Sequence, residues 1–428
     1  MENSNNLGTV TGGLSVSECA KKSVYKSYFL RPFIFIAFVL SARAHAQESP
    51  GKLPDMVQSK TGMIKVEKLA SLSEPWGMAW LPDGRLLITE KPGRLRIYSE
   101  GKLSEPVNGL PKVEYHGQGG LLDVEIDPDF ATNGFIYISY TEAAKVQPNA
   151  ARDVGDPRLG KFNDHTDAVL KGVAVARGKL EGNEIKNIEV IWQQFPKTIG
   201  RGHFGGRLVF ANDGKLFITS SERQRLEPAQ DLNSDLGKII RINPDGSIPQ
   251  DNPFINRKNV RADIWSFGHR NPLGAAINPT SKQLWIHEMG PVHGDELNIP
   301  LAGKNYGWPI VSNGDNYDNS RVPDHETKPE FVGPIAYWHP AISPSGLAFY
   351  TGSLFKGWMN NLLIGSFNSE ALVRLTATGN NIDSEERIWL QRRIRDVIQA
   401  PDGSIWLLTD YKDGELLRLS PVNNDVGN

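Results

Sequence analysis

Apolar and polar residues alternate along most of the chain in a unit that recurs six times. Each unit has a small residue or glycine, an apolar strand, a turn such as Pro-Asp-Gly or Asn-Asp-Gly, and a second apolar strand. The units are spaced irregularly, with insertions, at intervals typical of propeller blades of about 40–50 residues. Six such units predict an all-β, six-bladed β-propeller, and an irregular β-sandwich array is the alternative. The units begin at Pro75, Gly119, Gly205, Arg270, Ser345 and Arg395.

Two segments are the longest insertions between units, and the second of them is too long to be an ordinary connection. Residues 143–187 are polar and hairpin-like, and residues 289–340 are rich in glycine, proline, asparagine and tryptophan. Loops at one mouth of a propeller's central channel usually hold its site. We therefore expect residues 289–340 to fold over that mouth.

The amino-terminal segment predicts export. Four basic residues ending at Arg31 precede the apolar run Phe33–Leu40, and an Ala-His-Ala motif follows, ending at Ala46. The only cysteine, Cys19, lies in this segment, so we expect neither a disulfide nor a lipid anchor in the periplasmic protein. The formal charge of -2 gives no indication of nucleic-acid binding. The expected organisation is a signal peptide over residues 1–46, a polar lead-in over residues 47–63 and one propeller domain over residues 64–428.

A single histidine, His203, lies among glycines just before the third unit. In that position it could face a ligand at the channel mouth, and a surface or capping role is the alternative. Glu222 follows the second strand of the same unit, so we expect it to emerge beside His203, unless it is a surface glutamate. A carboxylate beside an imidazole fixes its tautomer and stabilises the imidazolium after proton transfer.

Loops that open other units carry further candidates. Gln118 offers a donor and an acceptor in a glycine-rich loop, although a plain turn is the alternative. Arg270 and Asn271 precede a proline, and the arginine could bind a carboxylate or a carbonyl, or bridge two blades. Arg393 and Arg395 alternate onto one strand face and repel each other unless an anion lies between them. They predict an anionic ligand at the mouth, and a solvated rim is the alternative.

The segment from residue 287 to residue 309 is dense in oxygen donors. Gly290 and Pro291 present carbonyls that no neighbouring side chain is expected to shield. Glu296 supplies a carboxylate, and the turn around Tyr306 offers further carbonyls. Hard oxygen donors of this kind suit Ca²⁺, whereas the histidine spacing and the lack of nearby cysteine argue against zinc. An acidic surface loop is the alternative, and the density of glycine and proline favours calcium.

These motifs occur in the same order in a known family. The chain resembles the soluble quinoprotein aldose sugar dehydrogenases of the glucose/sorbosone dehydrogenase family over nearly all of its length after the signal. The resemblance implies a six-bladed propeller with pyrroloquinoline quinone (PQQ) over the channel mouth and with Ca²⁺. It also implies oxidation of aldoses at the anomeric carbon to lactones by hydride transfer to PQQ. It is carried by HGQGGLLDVEIDPDF, HFGGRLVF, IWSFGHRNP, GDELNIPLAGKNYGWP and RRIRDV.

The resemblance further implies roles for individual residues. His203 would be the general base that takes the proton from the anomeric hydroxyl, with Glu222 beside it. The carbonyls of Gly290 and Pro291 would bind Ca²⁺, and Glu296 with the Tyr306 carbonyl would form a further calcium position. Asn368 stands where the family usually has a lysine, so we expect weaker PQQ binding or a compensating cation. The PQQ contacts match Gln118, Arg270, Asn271, Tyr317, Asn368, Arg393 and Arg395.

Two functions from other classes stay open at this point. A calcium-dependent lactonase or esterase propeller would use a similar calcium and histidine but would not need the arginine pair. A secreted propeller that only binds other proteins could lose His203 or the arginines, and both are present. For the dehydrogenase, the expected partners are an aldose and an unidentified electron acceptor, without nucleic acid or a membrane anchor. We expect a monomer or a weak dimer.

Overall fold

The computed structural model describes residues 51–147, 156–163 and 167–422. Within these ranges the strands form six antiparallel sheets, which confirms the predicted six-bladed β-propeller. No helix in the described ranges is long and apolar enough to span a membrane. The predicted signal peptide, residues 1–46, lies outside the described residues.

The repeated alternation of apolar and polar residues produces strands with one or both faces buried. In chain order they are β1 (Met56–Ser59), β2 (Gly62–Ser71), β3 (Pro75–Trp80), β4 (Leu86–Glu90), β5 (Arg94–Ser99), β6 (Lys102–Leu103), β7 (Leu121–Ile126), β8 (Phe135–Ala143), β9 (Lys171–Glu181), β10 (Glu184–Gln193), β11 (Gly205–Phe210), β12 (Leu216–Ser220), β13 (Lys238–Ile242), β14 (Ile264–Phe267), β15 (Pro272–Ile277), β16 (Leu284–Glu288), β17 (Asp295–Asn298), β18 (Ala336–Trp338), β19 (Pro344–Phe349), β20 (Leu362–Ser366), β21 (Ala371–Thr378), β22 (Asn381–Trp389), β23 (Ile394–Gln399), β24 (Ile405–Thr409) and β25 (Glu415–Pro421). The helical segments are short: α1 (Phe130–Asn133) and three 3₁₀ turns (Pro157–Phe162, Glu227–Ala229 and His325–Thr327). Blades 1 to 5 each take four consecutive strands, namely β3–β6, β7–β10, β11–β14, β15–β18 and β19–β22.

The sixth blade closes the ring by joining the two ends of the described chain. Its strand order is β1-β2-β25-β24-β23, and β2 pairs with β25 from Ile64 opposite Pro421 to Ser71 opposite Glu415. Closure of this kind covers strand edges that would otherwise be open. Part of the predicted polar lead-in, residues 56–63, therefore belongs to β1 and β2, and the expected boundary at residue 64 falls inside a strand.

The two predicted insertions are shorter than expected because each contains blade strands. Residues 143–187 include all of β9 and part of β10, and residues 289–340 include β17 and β18. The second connection, residues 299–335, runs beside β14, where Tyr306 N–H donates to the Phe267 carbonyl at 2.8 Å. It then reaches the loop that follows β14, where Trp308 N–H donates to the Gly268 carbonyl at 3.0 Å. This connection therefore borders the loop that holds Arg270.

A buried arginine lies where the inner strands of several blades meet. Arg207, on β11, pairs with Asp123 of blade 2 at 3.1 Å and with Asp396 of blade 6 at 2.8 Å. Its Nε donates to the Leu273 carbonyl of blade 4 at 2.9 Å, and its guanidinium lies 4.2 Å from the ring centroid of Trp76 in blade 1. One side chain thus connects five of the six blades.

Candidate functional site

His203 and Glu222 form a buried pair. His203 lies between β10 and β11, Glu222 follows β12, and their side chains are 7% and 0% exposed. The His203 Nδ1 atom lies 2.6 Å from Glu222 Oε1. The backbone N–H of His203 donates to Gln118 Oε1 at 2.9 Å. The structure thus brings together three of the predicted site residues.

The backbone of His203 is held in an uncommon conformation. Its φ of 47° is positive, which is sparsely populated by residues other than glycine and usually requires support from the surroundings. That support comes from the buried Arg223, whose guanidinium donates to the carbonyls of Gly200 at 2.8 Å and Gly202 at 3.0 Å. Arg223 N–H also donates to the His203 carbonyl at 3.2 Å. The loop therefore fixes His203 before any ligand arrives.

The electrostatic environment suits His203 as a base. Burial and the neighbouring Arg270 guanidinium lower the pKa of His203, so its imidazole is neutral near neutral pH. Burial alone would raise the pKa of Glu222, but its interaction with His203, which includes a hydrogen bond, and the nearby Arg270 guanidinium outweigh that effect and lower the pKa. The Glu222 carboxylate accepts Nδ1–H, which leaves Nε2 as the ring nitrogen that can accept a proton.

Replacing Glu222 by glutamine is expected to lower the pKa of His203 further, because the negative charge that favours the imidazolium is removed. Each unit of that decrease corresponds to about 1.4 kcal/mol of lost imidazolium stability. NMR titration of ring-labelled histidine would measure the change. Glu227→Gln, at an acid whose side chain is 65% exposed, is the control and should leave the His203 titration unchanged. A higher pKa in Glu222→Gln would contradict this account.

Arg270 lies against the predicted calcium loop. Its Nη1 donates to the carbonyls of Met289 at 2.8 Å and Gly290 at 2.6 Å, and its Nη2 lies 3.4 Å from the Tyr317 hydroxyl. The prediction that no side chain shields the Gly290 carbonyl was therefore wrong. The Arg270 guanidinium approaches it from the loop between β14 and β15. Among the residues that the structure describes, the buried atoms Arg270 Nε and Asn271 Oδ1 have no hydrogen-bond partner.

Behind Arg270 lies a hydrogen-bonded series of buried polar groups. Ser266 Oγ is 2.8 Å from His269 Nε2, and His269 Nδ1 is 3.0 Å from Glu288 Oε1. The other Glu288 oxygen accepts the backbone N–H of Arg270 at 2.6 Å. This order of groups is that of a serine hydrolase triad, but Ser266 and His269 are fully buried. We assign the series to support of the Arg270 backbone.

Arg393 and Arg395 converge on one carboxylate. Arg393 Nη2 lies 2.7 Å from Asp410 Oδ2, and Arg395 Nε lies 3.0 Å from Asp410 Oδ1. Both guanidinium groups also lie over the Phe367 ring, at 4.4 and 4.5 Å from its centroid. The argument that this pair requires a ligand anion was wrong, because Asp410 supplies the negative charge. Asn368, the next residue after Phe367, is exposed.

Glu296 already has two partners. His325 Nε2 donates to Glu296 Oε1 at 3.0 Å, and Asn298 Nδ2 donates to Glu296 Oε2 at 3.0 Å. Glu296, Gly290 and Tyr306 line one small cavity together with Arg270 and Glu288. Across the described ranges, no three histidine, cysteine, aspartate or glutamate side chains gather as metal ligands. A calcium ion here would depend on backbone carbonyls.

The glucose/sorbosone dehydrogenase sequence profile matches residues 72–418, which is most of the described propeller. The chain belongs to this family. Aldose sugar dehydrogenase YliI of Escherichia coli (strain K12), for example, is 42% identical over 371 residues, which are 84% of this chain and 94% of the relative. The match confirms the resemblance found in the sequence motifs.

Solved structures agree with this family assignment. A glucose dehydrogenase crystal structure superimposes with a TM-score of 0.76 at 40% identity, covering 83% of this chain and 99% of that chain. The PQQ-bound aldose sugar dehydrogenase of Streptomyces coelicolor superimposes with a TM-score of 0.62 at 25% identity, covering 83% of this chain and 98% of that chain. The described propeller is therefore the fold of the glucose/sorbosone dehydrogenase family.

The site of this family member also contains residues that the sequence analysis missed. Arg223 follows Glu222 directly, and its role could have been found by asking which donors satisfy the carbonyls of the glycine-rich loop. Glu288 and Asp410 lie at the end of, or just beyond, the second strand of a unit, as Glu222 does. An acidic residue at the end of the second strand recurs in several units, and this pattern in the sequence could have identified Glu288 and Asp410 as site residues.

Proposed function

We propose that this chain is a PQQ-dependent aldose dehydrogenase that oxidises sugars at the anomeric carbon to lactones. The observation that supports it most is the buried His203–Glu222 pair, with a neutral imidazole beside Arg270. The family membership and the PQQ-bound aldose sugar dehydrogenase of Streptomyces coelicolor add independent support. From the predicted signal peptide we infer a periplasmic enzyme, which a separate electron acceptor would reoxidise.

In this proposal His203 Nε2 takes the proton of the anomeric hydroxyl. The negative charge of Glu222 stabilises the imidazolium that forms, and the Gln118 side chain holds the His203 backbone in place. The Arg270 guanidinium favours return of the imidazolium to its neutral form, because the two cations repel each other. The chain thus supplies a base that is neutral before each turnover and whose proton can be released afterwards.

The residues present fit PQQ, a tricarboxylate. Arg270 Nε and Asn271 Oδ1 are buried polar atoms that find no partner within the described part of the chain, so they can bind a polar ligand. Arg393 and Arg395 carry two positive charges against the single charge of Asp410, which leaves a net attraction for an anion. Bound PQQ would supply the hydride acceptor. Gln118, Tyr317 and Asn368 complete the proposed set of contacts.

Ca²⁺ fits the donor chemistry of the Gly290 and Pro291 carbonyls, and bound there it would act as a Lewis acid. Arg270 Nη1 now bonds to the Gly290 carbonyl, so calcium and this guanidinium would share that region. At the further position, Glu296 and the Tyr306 carbonyl, calcium would compete with the hydrogen bond from His325. We therefore propose Gly290 and Pro291 as the primary calcium ligands.

Reduction of bound PQQ tests the proposed function. The purified apoprotein is loaded with PQQ and Ca²⁺ without oxygen, and the PQQ absorption spectrum is followed after an aldose is added. We expect a single-turnover change to the reduced spectrum that is lost when Ca²⁺ is chelated. In His203→Ala, PQQ should bind but be reduced about 10²–10⁴-fold more slowly. Failure of the wild-type protein to bind PQQ would exclude a quinoprotein function.

Asn368→Lys is expected to tighten PQQ binding. The side chain is exposed, so one added cation would contribute about 0.2–1 kcal/mol to the binding of an anion. Absorbance titration with PQQ measures the change, and Asn381→Lys, at an exposed residue that begins β22, is the matched control. If both variants bind PQQ as the wild-type protein does, position 368 is not a contact in this chain.

A further inference from the structure

Gln224 lies in a tight turn that directly follows Glu222. Arg223, Gln224 and Leu226 all have positive φ, at 58°, 56° and 55°. Residues with side chains seldom adopt this left-handed conformation, and it persists where the surroundings fix it, often at functional sites. The backbone of this turn is therefore held in place by its contacts rather than by local preference.

Glu222 and Arg223 hold the turn in this shape. Glu222 Oε2 accepts the backbone N–H of Leu226 at 3.1 Å. The backbone N–H of Arg223 donates to the His203 carbonyl at 3.2 Å. The carboxylate that pairs with the proposed base thus also shapes the turn, so the Gln224 backbone has a fixed position relative to His203.

The side chain of Gln224 lies against Gly202, the residue directly before His203. A methyl group on Gly202 would lie 2.3 Å from Gln224 Oε1 and 2.8 Å from Gln224 Nε2, closer than van der Waals contact allows. Gly202 does not have a positive φ, so its backbone conformation does not require glycine. The missing side chain at position 202 is what makes room for the amide of Gln224.

The turn lies at the end of the propeller where the proposed site residues gather. It follows β12, the second strand of blade 3, just as Glu288 ends β16 and Asp410 follows β24 in their blades. The amide lies against Gly202, and consecutive Cα atoms are about 3.8 Å apart, so the amide is within about 8 Å of the His203 Cα atom. One sugar molecule can therefore reach both the amide and the imidazole.

The amide of Gln224 is nearly buried, and it forms no hydrogen bond within the described ranges. Gln224 is 8% exposed, and its backbone carbonyl accepts from Arg225 Nη1 at 3.1 Å. Neither amide atom belongs to the fully buried atoms that lack a partner, so both keep accessible surface. An amide with one acceptor and two donors, enclosed on most sides and unpaired, is suited to binding a polar ligand.

We propose that Gln224 binds the hydroxyl at carbon 2 of the aldose, next to the anomeric hydroxyl that His203 deprotonates. The amide can both donate to a hydroxyl and accept from it. The other neighbour of the anomeric carbon, the ring oxygen, only accepts and so suits the Arg270 guanidinium, which only donates. The inference rests on the proposed dehydrogenase function and names a residue that selects aldoses with a free hydroxyl at carbon 2.

The test compares glucose with 2-deoxyglucose, which lacks the hydroxyl at carbon 2, in the holoenzyme. Gln224→Met keeps the size of the side chain but removes its hydrogen-bonding groups. This variant is expected to lower the ratio of kcat/KM for glucose to kcat/KM for 2-deoxyglucose about five- to tenfold, the contribution of one hydrogen bond between neutral groups. The loss should fall on glucose, and PQQ affinity measured by absorbance titration should stay unchanged.

Gly202→Ala tests the same contact from the other side. The added methyl group displaces the Gln224 amide, so the ratio should fall by a similar factor. Gln283→Met is the matched control, because Gln283 lies in the turn between β15 and β16, at the opposite end of blade 4 from Glu288. That variant should leave the ratio as it is in the wild-type protein.

An unchanged ratio in Gln224→Met, whether both sugars lose activity or neither does, would overturn the proposal. Weaker PQQ binding in that variant would also overturn it, because the amide would then contact the cofactor. If the wild-type protein oxidises neither sugar, the proposed dehydrogenase function fails, and calorimetric binding then tests Gln224 alone. Glucose should bind more tightly than 2-deoxyglucose, and Gln224→Met should abolish the difference; equal affinities in the wild-type protein would contradict the inference.

Discussion

Replacing His203 by alanine is expected to reduce kcat for aldose oxidation by about 10²–10⁴-fold, the usual contribution of a general base. The buried imidazole has Nδ1 committed to Glu222, so Nε2 is the proposed proton acceptor. Dye-linked turnover of the PQQ- and Ca²⁺-loaded protein measures the loss. PQQ affinity should change little, because the proposed cofactor contacts lie on other residues.

Imidazole rescue separates loss of the base from loss of structure. The His203→Ala variant leaves a space beside the Glu222 carboxylate, and added imidazole should restore part of the turnover by occupying it. Only the neutral form of added imidazole can accept a proton. The rescued turnover should therefore increase with imidazole concentration, and it should increase with pH as the pH passes the pKa of imidazole. A variant that keeps more than a tenth of wild-type kcat would contradict the role assigned to His203.

Replacing Arg207 by alanine is expected to destabilise the propeller by about 3–5 kcal/mol, because it leaves two carboxylates buried without their cation. Asp123 and Asp396 have side chains only 6% and 5% exposed. The variant would also lose the contacts of the guanidinium with Trp76 and the Leu273 carbonyl. Chemical denaturation followed by tryptophan fluorescence measures the change in the free energy of unfolding.

The loss should depend on pH in a defined direction. Burial raises the pKa of Asp396 to about 6 even in the presence of Arg207, and the variant should raise it further. The folded variant then binds more protons than the unfolded chain, so its stability falls as pH rises from the ordinary aspartate pKa to above 6. The difference in the free energy of unfolding between the wild-type protein and Arg207→Ala should therefore be smaller at low pH. Arg418→Ala, at a 34% exposed surface pair, should cost less than about 1 kcal/mol at any pH.

The fold could be predicted because each blade repeats a local pattern of strands and turns. Closure of the ring could not, because β1 is four residues long with only Val57 and Ser59 buried, and β2 finds its partner at the opposite end of the chain. Pairing at that separation leaves no local signal in a single sequence. The same reasoning explains why residues 56–63 were predicted as a lead-in.

The candidate site was predictable where a residue's place in the repeat determines its neighbour. Glu222 ends the strand pair that His203 opens, so their contact follows from the blade geometry. Asp410 was missed because the partner of an arginine side chain is identified only once side chains are placed. For the same reason the Arg393 and Arg395 pair suggested a ligand anion where the chain supplies its own.

The fate of the anomeric carbon tests the central claim most directly. An aldose labelled with carbon-13 at that position is incubated with the protein and an artificial electron acceptor, and the carbon signal is followed by NMR. The account predicts conversion to a lactone carbonyl only when PQQ and Ca²⁺ are both present, and almost none in His203→Ala. Unchanged label with both cofactors bound, or oxidation at another carbon, would contradict it.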